Sequence, residues 1–252
     1  MISVIMPAYN AAETISMAIE SVIGQKYEKW ELIIVDDNST DRTADIILKN
    51  ANLDNRIKYF KNNENFGPSY SRNFAINVAT GRYIAFLDSD DIWHPLKLEQ
   101  QLNFMINNGY SITYTKYHRF CYSGSEKLVT KTIKIPLIMR YSDLLKNSGI
   151  AGCLTIMIDR VSHPNIFFPM IKSEDYALWL SVLRSNTIAY CLDQDLGEYR
   201  ISAHSVSSNK LVMAMSVWHI YRNIENLNLF SSIWYFFNYA MNASFRSIIY
   251  RI

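Results

Sequence analysis

Four short apolar runs, at residues 2–6, 32–35, 57–60 and 83–87, alternate with segments of helical periodicity at 11–25, 40–50 and 69–79. Turn-forming residues bound each run, and strands alternating with helices of this length build βαβ units on a parallel sheet. Asn10 followed by Glu13 reads as an N-cap with the acid of a capping box. Gly81 reads as the end of a helix before the next strand.

Beyond this half the pattern changes. A helix is expected over 96–107, a strand over 112–117, and an irregular polar stretch over 118–150. An apolar strand follows at 153–158, a short amphipathic helix at 176–184 and a last strand at 188–192; from Lys210 the chain is helical and rich in aromatics. The expected class is α/β: a Rossmann-like core over about residues 1–110, an α+β completion, and a helical tail. With 252 residues, 49% of them hydrophobic, the chain can bury a full core and is not a disordered one.

Composition narrows function. Twenty-five basic residues against 23 acidic ones give none of the basic excess of a dedicated nucleic-acid binder. Three scattered cysteines form neither a disulfide framework nor a zinc cluster, which points to a reducing cytosolic compartment. Neither a signal peptide nor an uninterrupted apolar span is expected. No two glycines are spaced G-x-G, and Pro7-Ala-Tyr-Asn10 stands where a dinucleotide fingerprint would follow the first strand, which argues against NAD and FAD.

The densest chemistry is Asp88-Ser-Asp-Asp91, directly after an apolar strand and so at the sheet edge where open α/β folds bind ligands. Acids this close repel unless a cation or hydrogen-bond donors compensate, and oxygen donors suit Mg²⁺ or Mn²⁺. The plainer reading is a capped, solvated turn. A calcium loop fails, because Ile92 and Trp93 occupy its fifth and sixth positions. Asp36-Asp37 ends another strand; such a carboxylate can accept the N3–H of uracil, but taken alone the pair is better explained as a turn or helix cap. Glu174-Asp175 stands before the helix at 176–184, as helix-terminal acids or as a general base. His204 is a lone histidine in a polar loop.

Taken in order, Ser3-Val-Ile-Met-Pro-Ala-Tyr-Asn10, Leu32-Ile-Ile-Val-Asp-Asp-Asn-Ser-Thr-Asp41, Asn65-Phe-Gly-Pro-Ser-Tyr-Ser-Arg-Asn73, Gly81-Arg-Tyr-Ile-Ala-Phe-Leu-Asp-Ser-Asp-Asp91, Ser173-Glu-Asp175 and Tyr199-Arg200 through His204 form one pattern. It resembles the inverting glycosyltransferases of family 2, which have the GT-A fold and use nucleotide-diphosphate sugars. The likeness spans residues 2–207 and looks closest to the enzymes of bacterial O-antigen, capsular and teichuronic-type polysaccharides.

The resemblance implies a role for each matching position. Pro7 and Tyr9 would line the nucleoside pocket, Asp37 would read uracil with Asp36 beside it, and Arg72 would lie near the diphosphate. Asp88, Ser89 and Asp90 match the DxD motif, with Asp90 the direct ligand of Mn²⁺ or Mg²⁺, Asp88 assisting and Asp91 nearby. Asp175 matches the catalytic base, Glu174 its acceptor-side neighbour, and His204 the histidine that completes the metal or diphosphate site. The implied reaction moves a hexose, glucose or galactose, in β linkage from a UDP-sugar to a saccharide on a polyprenyl diphosphate. It would run at the inner face of the cytoplasmic membrane. A UDP-N-acetylhexosamine or dTDP-sugar donor, or a non-catalytic nucleotide-binding subunit, are the alternatives.

The expected domains are a catalytic unit at 1–208, with a nucleotide-binding half at 1–110 and an acceptor half at 111–208, and a tail at 209–252. Aromatic residues with Arg246 and Arg251 at one end suit either the membrane interface, contacted through residues 227–252, or packing on the core.

Overall fold

Strands β1 (Ile2–Ala8) and β2 (Trp30–Asp36) are buried along their whole length, which is why they read as continuous apolar runs. In this computed structural model, which describes residues 1–146, 152–201 and 210–249, β1 pairs in parallel with β2 and with β4 (Tyr83–Phe86), and β2 pairs in parallel with β3 (Ile57–Lys61). Period-two alternation splits their side chains between two cores. Val4, Met6, Leu32 and Ile34 pack under helices α1 (Ile15–Ile23) and α2 (Thr43–Leu53). Ile5, Ile33, Val35 and Phe86 face the opposite core, which includes Ala75 of α3 (Pro68–Val78).

The second half extends the same sheet. Its further strands are β5 (Ile92–Trp93), β6 (Ile112–Ser123), β7 (Glu126–Val129), β8 (Ile138–Met139), β9 (Met157–Asp159) and β10 (Ala189–Arg200). The order is β3-β2-β1-β4-β9-β6-β10-β5, with β7 on β6 and β8 on β10. Because β9 runs antiparallel to both β4 and β6, the sheet is mixed, yet β6 and β10 again point the same way as β1. Helices α4 (Lys97–Asn108), α5 (Tyr141–Lys146) and α6 (Glu174–Arg184) complete the layers.

Several local expectations are corrected. Asn10 caps no helix: α1 begins after Thr14, without a side-chain cap. Asn10 instead has φ of 47° and accepts the backbone N–H of Thr40 at 2.9 Å, tying the loop after β1 to the loop after β2. Gly81 does not end a helix; a Cβ there would stand 2.7 Å from the Ser3 backbone nitrogen, so it is the close approach to β1 that requires glycine. Residues 118–150 are irregular only in part: β6 runs on to Ser123, turns at Gly124 and returns as β7, and α5 covers Tyr141–Lys146, while 130–137 carry no regular element and 147–150 lie outside the described residues. The stretch 153–158 is a 3₁₀ turn, Cys153–Thr155, followed by the short β9. All three cysteines are free thiols, and Cys153 and Cys191 are buried.

The tail forms α7 (Lys210–His219), a π-helical turn Ile220–Ile224 and α8 (Leu229–Ile249). Its inner face packs on the core. The Tyr221 hydroxyl donates to the carbonyl of Leu145, Asn242 donates to the carbonyl of Lys146, and Ser232 is buried. The outer face of α8 is exposed, and no described helix is long and apolar enough to cross a membrane.

Candidate active site

The C-terminal ends of β1, β2 and β4 open on one cavity of about 260 Å³. Pro7, Ala8 and half-exposed Tyr9 supply one wall, Asp37 and the loop at Asn65–Gly67–Pro68 a second, and Ser71, Arg72 and Asp88–Ser89–Asp90 a third. Asp36 is not in this lining. It is fully buried, accepting the Ser39 N–H at 2.9 Å and the Tyr59 hydroxyl at 3.2 Å, so it shapes the turn.

Asp37 folds the loop that opens α3. Its Oδ1 accepts Asn62 Nδ2 at 2.6 Å and the Phe66 N–H at 3.0 Å, and its Oδ2 accepts the Gly67 N–H at 2.7 Å. Gly67 has φ of 87°, where a side chain would be strained. A carboxylate offers about four acceptor positions, so roughly one remains for a donor from the cavity.

Arg72, on the first turns of α3, is almost fully buried and joins two acids far apart in sequence. Its Nη2 donates to Asp88 and its Nη1 to Glu174, each at 2.7 Å. Its carbon Cζ lies 5.2 Å from the centre of the Phe168 ring. Burial works against the guanidinium charge, but Asp88, Cys153 and Glu174 outweigh it and keep the group protonated. The family resemblance placed Arg72 near the diphosphate and gave no sign of the Glu174 contact.

Asp88, Ser89 and Asp90 form the turn after β4. Asp91 turns away from the cavity: it is buried and its Oδ1 accepts the Arg200 N–H at 2.9 Å. Arg200 in turn donates from Nε to the carbonyl of Asp90 at 2.9 Å, so the acidic turn is stapled to β10 from both sides. Tyr199-Arg200 belongs to the sequence pattern, but this fastening role was not legible in it. Burial and the neighbouring Asp88 push the Asp90 carboxyl up to about 6.

Glu174 and Asp175 do not precede a helix; they are the first turn of α6, entered through Ser173 in the left-handed region at φ of 59°. Asp175 is half-buried, with Oδ1 on the N–H of Tyr176 at 2.7 Å. Burial and Glu174 push its carboxyl up to about 6, Arg72 opposes them, and Asp88 adds to the rise. Asp90 senses the same Arg72 and Asp88. The early and late acidic clusters therefore meet around one guanidinium.

Among the described residues no group of three or more His, Cys, Asp and Glu side chains is arranged to hold a metal. Asp88 and Asp90 offer two crowded oxygen donors on one cavity wall. That set fits Mg²⁺ or Mn²⁺, which take one or two carboxylates and fill their remaining positions from phosphate and water. His204 lies outside the described residues.

Comparison with known proteins gives this geometry a family. Residues 3–166 match the family described as Glycosyl transferase family 2. The chain is 43% identical over 244 residues to the glycosyltransferase TuaG of Bacillus subtilis (strain 168), named for teichuronic acid biosynthesis, covering 96% of each chain. It is 41% identical over 242 residues to WfgD of Escherichia coli, named a UDP-Glc:alpha-D-GlcNAc-diphosphoundecaprenol beta-1,3-glucosyltransferase, covering 96% of this chain and 92% of WfgD. By fold it resembles S. aureus TarS 1-349, with a TM-score of 0.69 at 20% identity over 98% of this chain and 73% of that one. It also resembles the mannosyltransferase PcManGT from Pyrobaculum calidifontis, solved with GDP-Man and Mn²⁺, with a TM-score of 0.68 at 16% identity over 98% and 75% of the two chains. The chain belongs to glycosyl transferase family 2 and is a glycosyltransferase of the GT-A fold.

Proposed function

We propose that this enzyme transfers a hexose, glucose or galactose, from a UDP-sugar to a saccharide carried on a polyprenyl diphosphate, with inversion to a β linkage. The step belongs to bacterial surface polysaccharide synthesis, at the inner face of the cytoplasmic membrane. WfgD and a second Escherichia coli relative, WfaP, 38% identical over 243 residues, are both named for a UDP-Glc donor and a diphosphoundecaprenol-linked acceptor, which supports this choice. The observation that carries the reading is the Arg72 bridge, which sets a donor-side acid, Asp88, beside the Glu174-Asp175 pair.

The roles are those the family resemblance implies, and the cavity and the Arg72 bridge support them for the described residues. Tyr9, half-exposed over the cavity, and Pro7 receive the uridine, and the free acceptor position of Asp37 takes the uracil N3–H. Asp90 and Asp88, with Ser89 between them, would hold the divalent cation, and His204 is proposed, on the sequence match alone, as its further ligand. There it would supply positive charge to offset the negative charge gathering on the departing diphosphate. Asp175 takes the proton from the acceptor hydroxyl as that oxygen attacks the anomeric carbon; Glu174, fixed by Arg72, orients the acceptor side. UDP leaves from the opposite face, so one displacement inverts the centre and no covalent intermediate forms. Residues 1–110 form the nucleotide half, 111–208 the acceptor half, and 209–252 a tail that contacts the membrane.

A panel of UDP-glucose, UDP-galactose, UDP-N-acetylhexosamines and a dTDP-sugar, each offered with a GlcNAc-diphosphate-lipid acceptor and Mn²⁺, tests the proposal. A β-linked hexose product from a UDP-hexose is expected. Transfer only from an N-acetylhexosamine or dTDP donor would replace the donor assignment, and UDP binding without any turnover would replace the enzyme with a binding subunit.

A further inference from the structure

We propose that the outward faces of α7 and α8 form one docking surface for an anionic phospholipid bilayer, and that this surface fixes the height of the Asp175 base above the membrane. The inference deepens the proposed lipid-linked acceptor and rests on it.

Along α8 the residues Phe230, Trp234, Phe237 and Met241 recur at spacings of four, three and four, which places them on one helix face. Phe230 is 86% exposed and Trp234 is 60% exposed, although buried positions such as Ser232 and Tyr239 alternate with them on the inner side. Residues 226–245 contain no charged side chain at all. A helix of this kind, too polar to span and too apolar to rest in water, is stable lying in the headgroup boundary. Aromatic rings favour that boundary in particular. Leu211, 76% exposed, and Met215, one turn further, carry the apolar surface onto α7, and Trp218 of α7 packs edge-to-face on Phe236 of α8. The two helices are thus packed against each other.

Charge selects the occupant. From residue 209 onward the sequence carries Lys210, Arg222, Arg246 and Arg251 against the single acid Glu225, which is itself paired with Arg184. This excess is repelled by a second copy of the same tail and attracted by an anionic bilayer. Position completes the case. Ser216 of α7 donates to the carbonyl of Lys172 at 2.7 Å and lies 3.0 Å from the Ser173 hydroxyl, immediately before Glu174 and Asp175. Met170 and Phe167 are exposed on the segment leading to that point. The backbone that carries the base is therefore bolted to the surface proposed to touch lipid.

The test uses the full-length protein with vesicles of phosphatidylcholine alone or mixed with phosphatidylglycerol. A Phe230→Ser/Trp234→Ser/Phe237→Ser variant is compared with wild type by flotation, by sedimentation and by transfer to two acceptors, one long-chain in vesicles and one short-chain in water. Wild type should float with the anionic vesicles, less so at high salt, and the variant should partition about tenfold more weakly. Transfer to the vesicle-borne acceptor should fall with it, while transfer to the water-soluble acceptor stays within about twofold because nothing in the catalytic cavity is altered. Equal flotation of the two proteins overturns the proposal, as does a wild-type dimer that ignores vesicles and is split by the substitutions. Loss of flotation in the variant with no transfer by wild type to either acceptor would leave the lipid surface standing and remove the acceptor reading instead.

Discussion

Asp88 and Glu174 share a single guanidinium, each accepting one N–H of Arg72 at 2.7 Å. Asp88 belongs to the turn after β4 and Glu174 to the first turn of α6. The ion pairs therefore hold the acidic turn after β4 and helix α6, which carries the proposed base Asp175, in a fixed relation. They also tune the proposed base, because Arg72 is the principal group opposing the rise in the Asp175 pKa.

Replacing Arg72 with Gln removes that opposition. The Asp175 carboxyl then rises above its value of about 6, and more of it is protonated and inactive near neutrality. The acid limb of the kcat/KM–pH profile, which reports the free enzyme, should move to higher pH. Two acids left facing each other without a cation should also cost about 3 kcal/mol of stability in denaturant unfolding. An unmoved acid limb would separate Arg72 from the base.

Asp37 is expected to matter twice. Asp37→Ala orphans Asn62 and the N–H groups of Phe66 and Gly67, a loss of about 2 kcal/mol in unfolding measurements. Calorimetric titration with UDP should show binding weakened about tenfold or more, as loop and uracil contact are lost together.

Much of this architecture was readable from the residues, for a physical reason. β1, β2 and β4 are covered on both faces, so burial wrote them as apolar runs between turn signals. The strands β6 and β10 were only partly legible. Along β10, Asp193, Asp195 and Glu198 are matched across to Lys116, His118 and Lys127, and these cross-strand polar pairs hide the strand from any hydrophobic pattern. Asn10 had the right identity for a cap but found its partner in Thr40, a contact no local pattern shows. At the site, Asp88 and Asp90 stood out as crowded acids directly after an apolar strand, whereas Asp37 and Asp175 read alone as capping residues and were singled out only by the family pattern. The Arg72–Glu174 and Asp91–Arg200 contacts did not stand out, since each depends on the finished sheet bringing distant segments together.

Stability should also carry a mark of Glu31, buried beneath the far end of β1. It accepts the Ser3 hydroxyl at 2.5 Å, the Thr80 N–H at 2.7 Å and Lys58 Nζ at 2.5 Å. Burial acts to raise its pKa, but Lys58, Ser3 and Thr80 together draw it down to about 2. Depressed in the folded state, this group stabilises the fold above its ordinary value of 4.5, and the stabilisation disappears as pH falls through about 2. The expected loss from this one group is about 3 kcal/mol. Denaturant midpoints for wild type and Glu31→Gln, followed from pH 6 to pH 2, should converge at the acid end; parallel curves would show that Glu31 is not the group responsible.

The identity of the base is the hinge of the account, and Asp175→Asn addresses it with a nearly isosteric change. Single-turnover transfer by this variant, read alongside calorimetric binding of UDP with Mn²⁺, should fall by about 10² to 10⁴-fold while UDP affinity stays at the wild-type level. Transfer at the wild-type rate by a folded, UDP-binding Asp175→Asn protein would contradict it, and the proton acceptor would have to be sought elsewhere in the cavity.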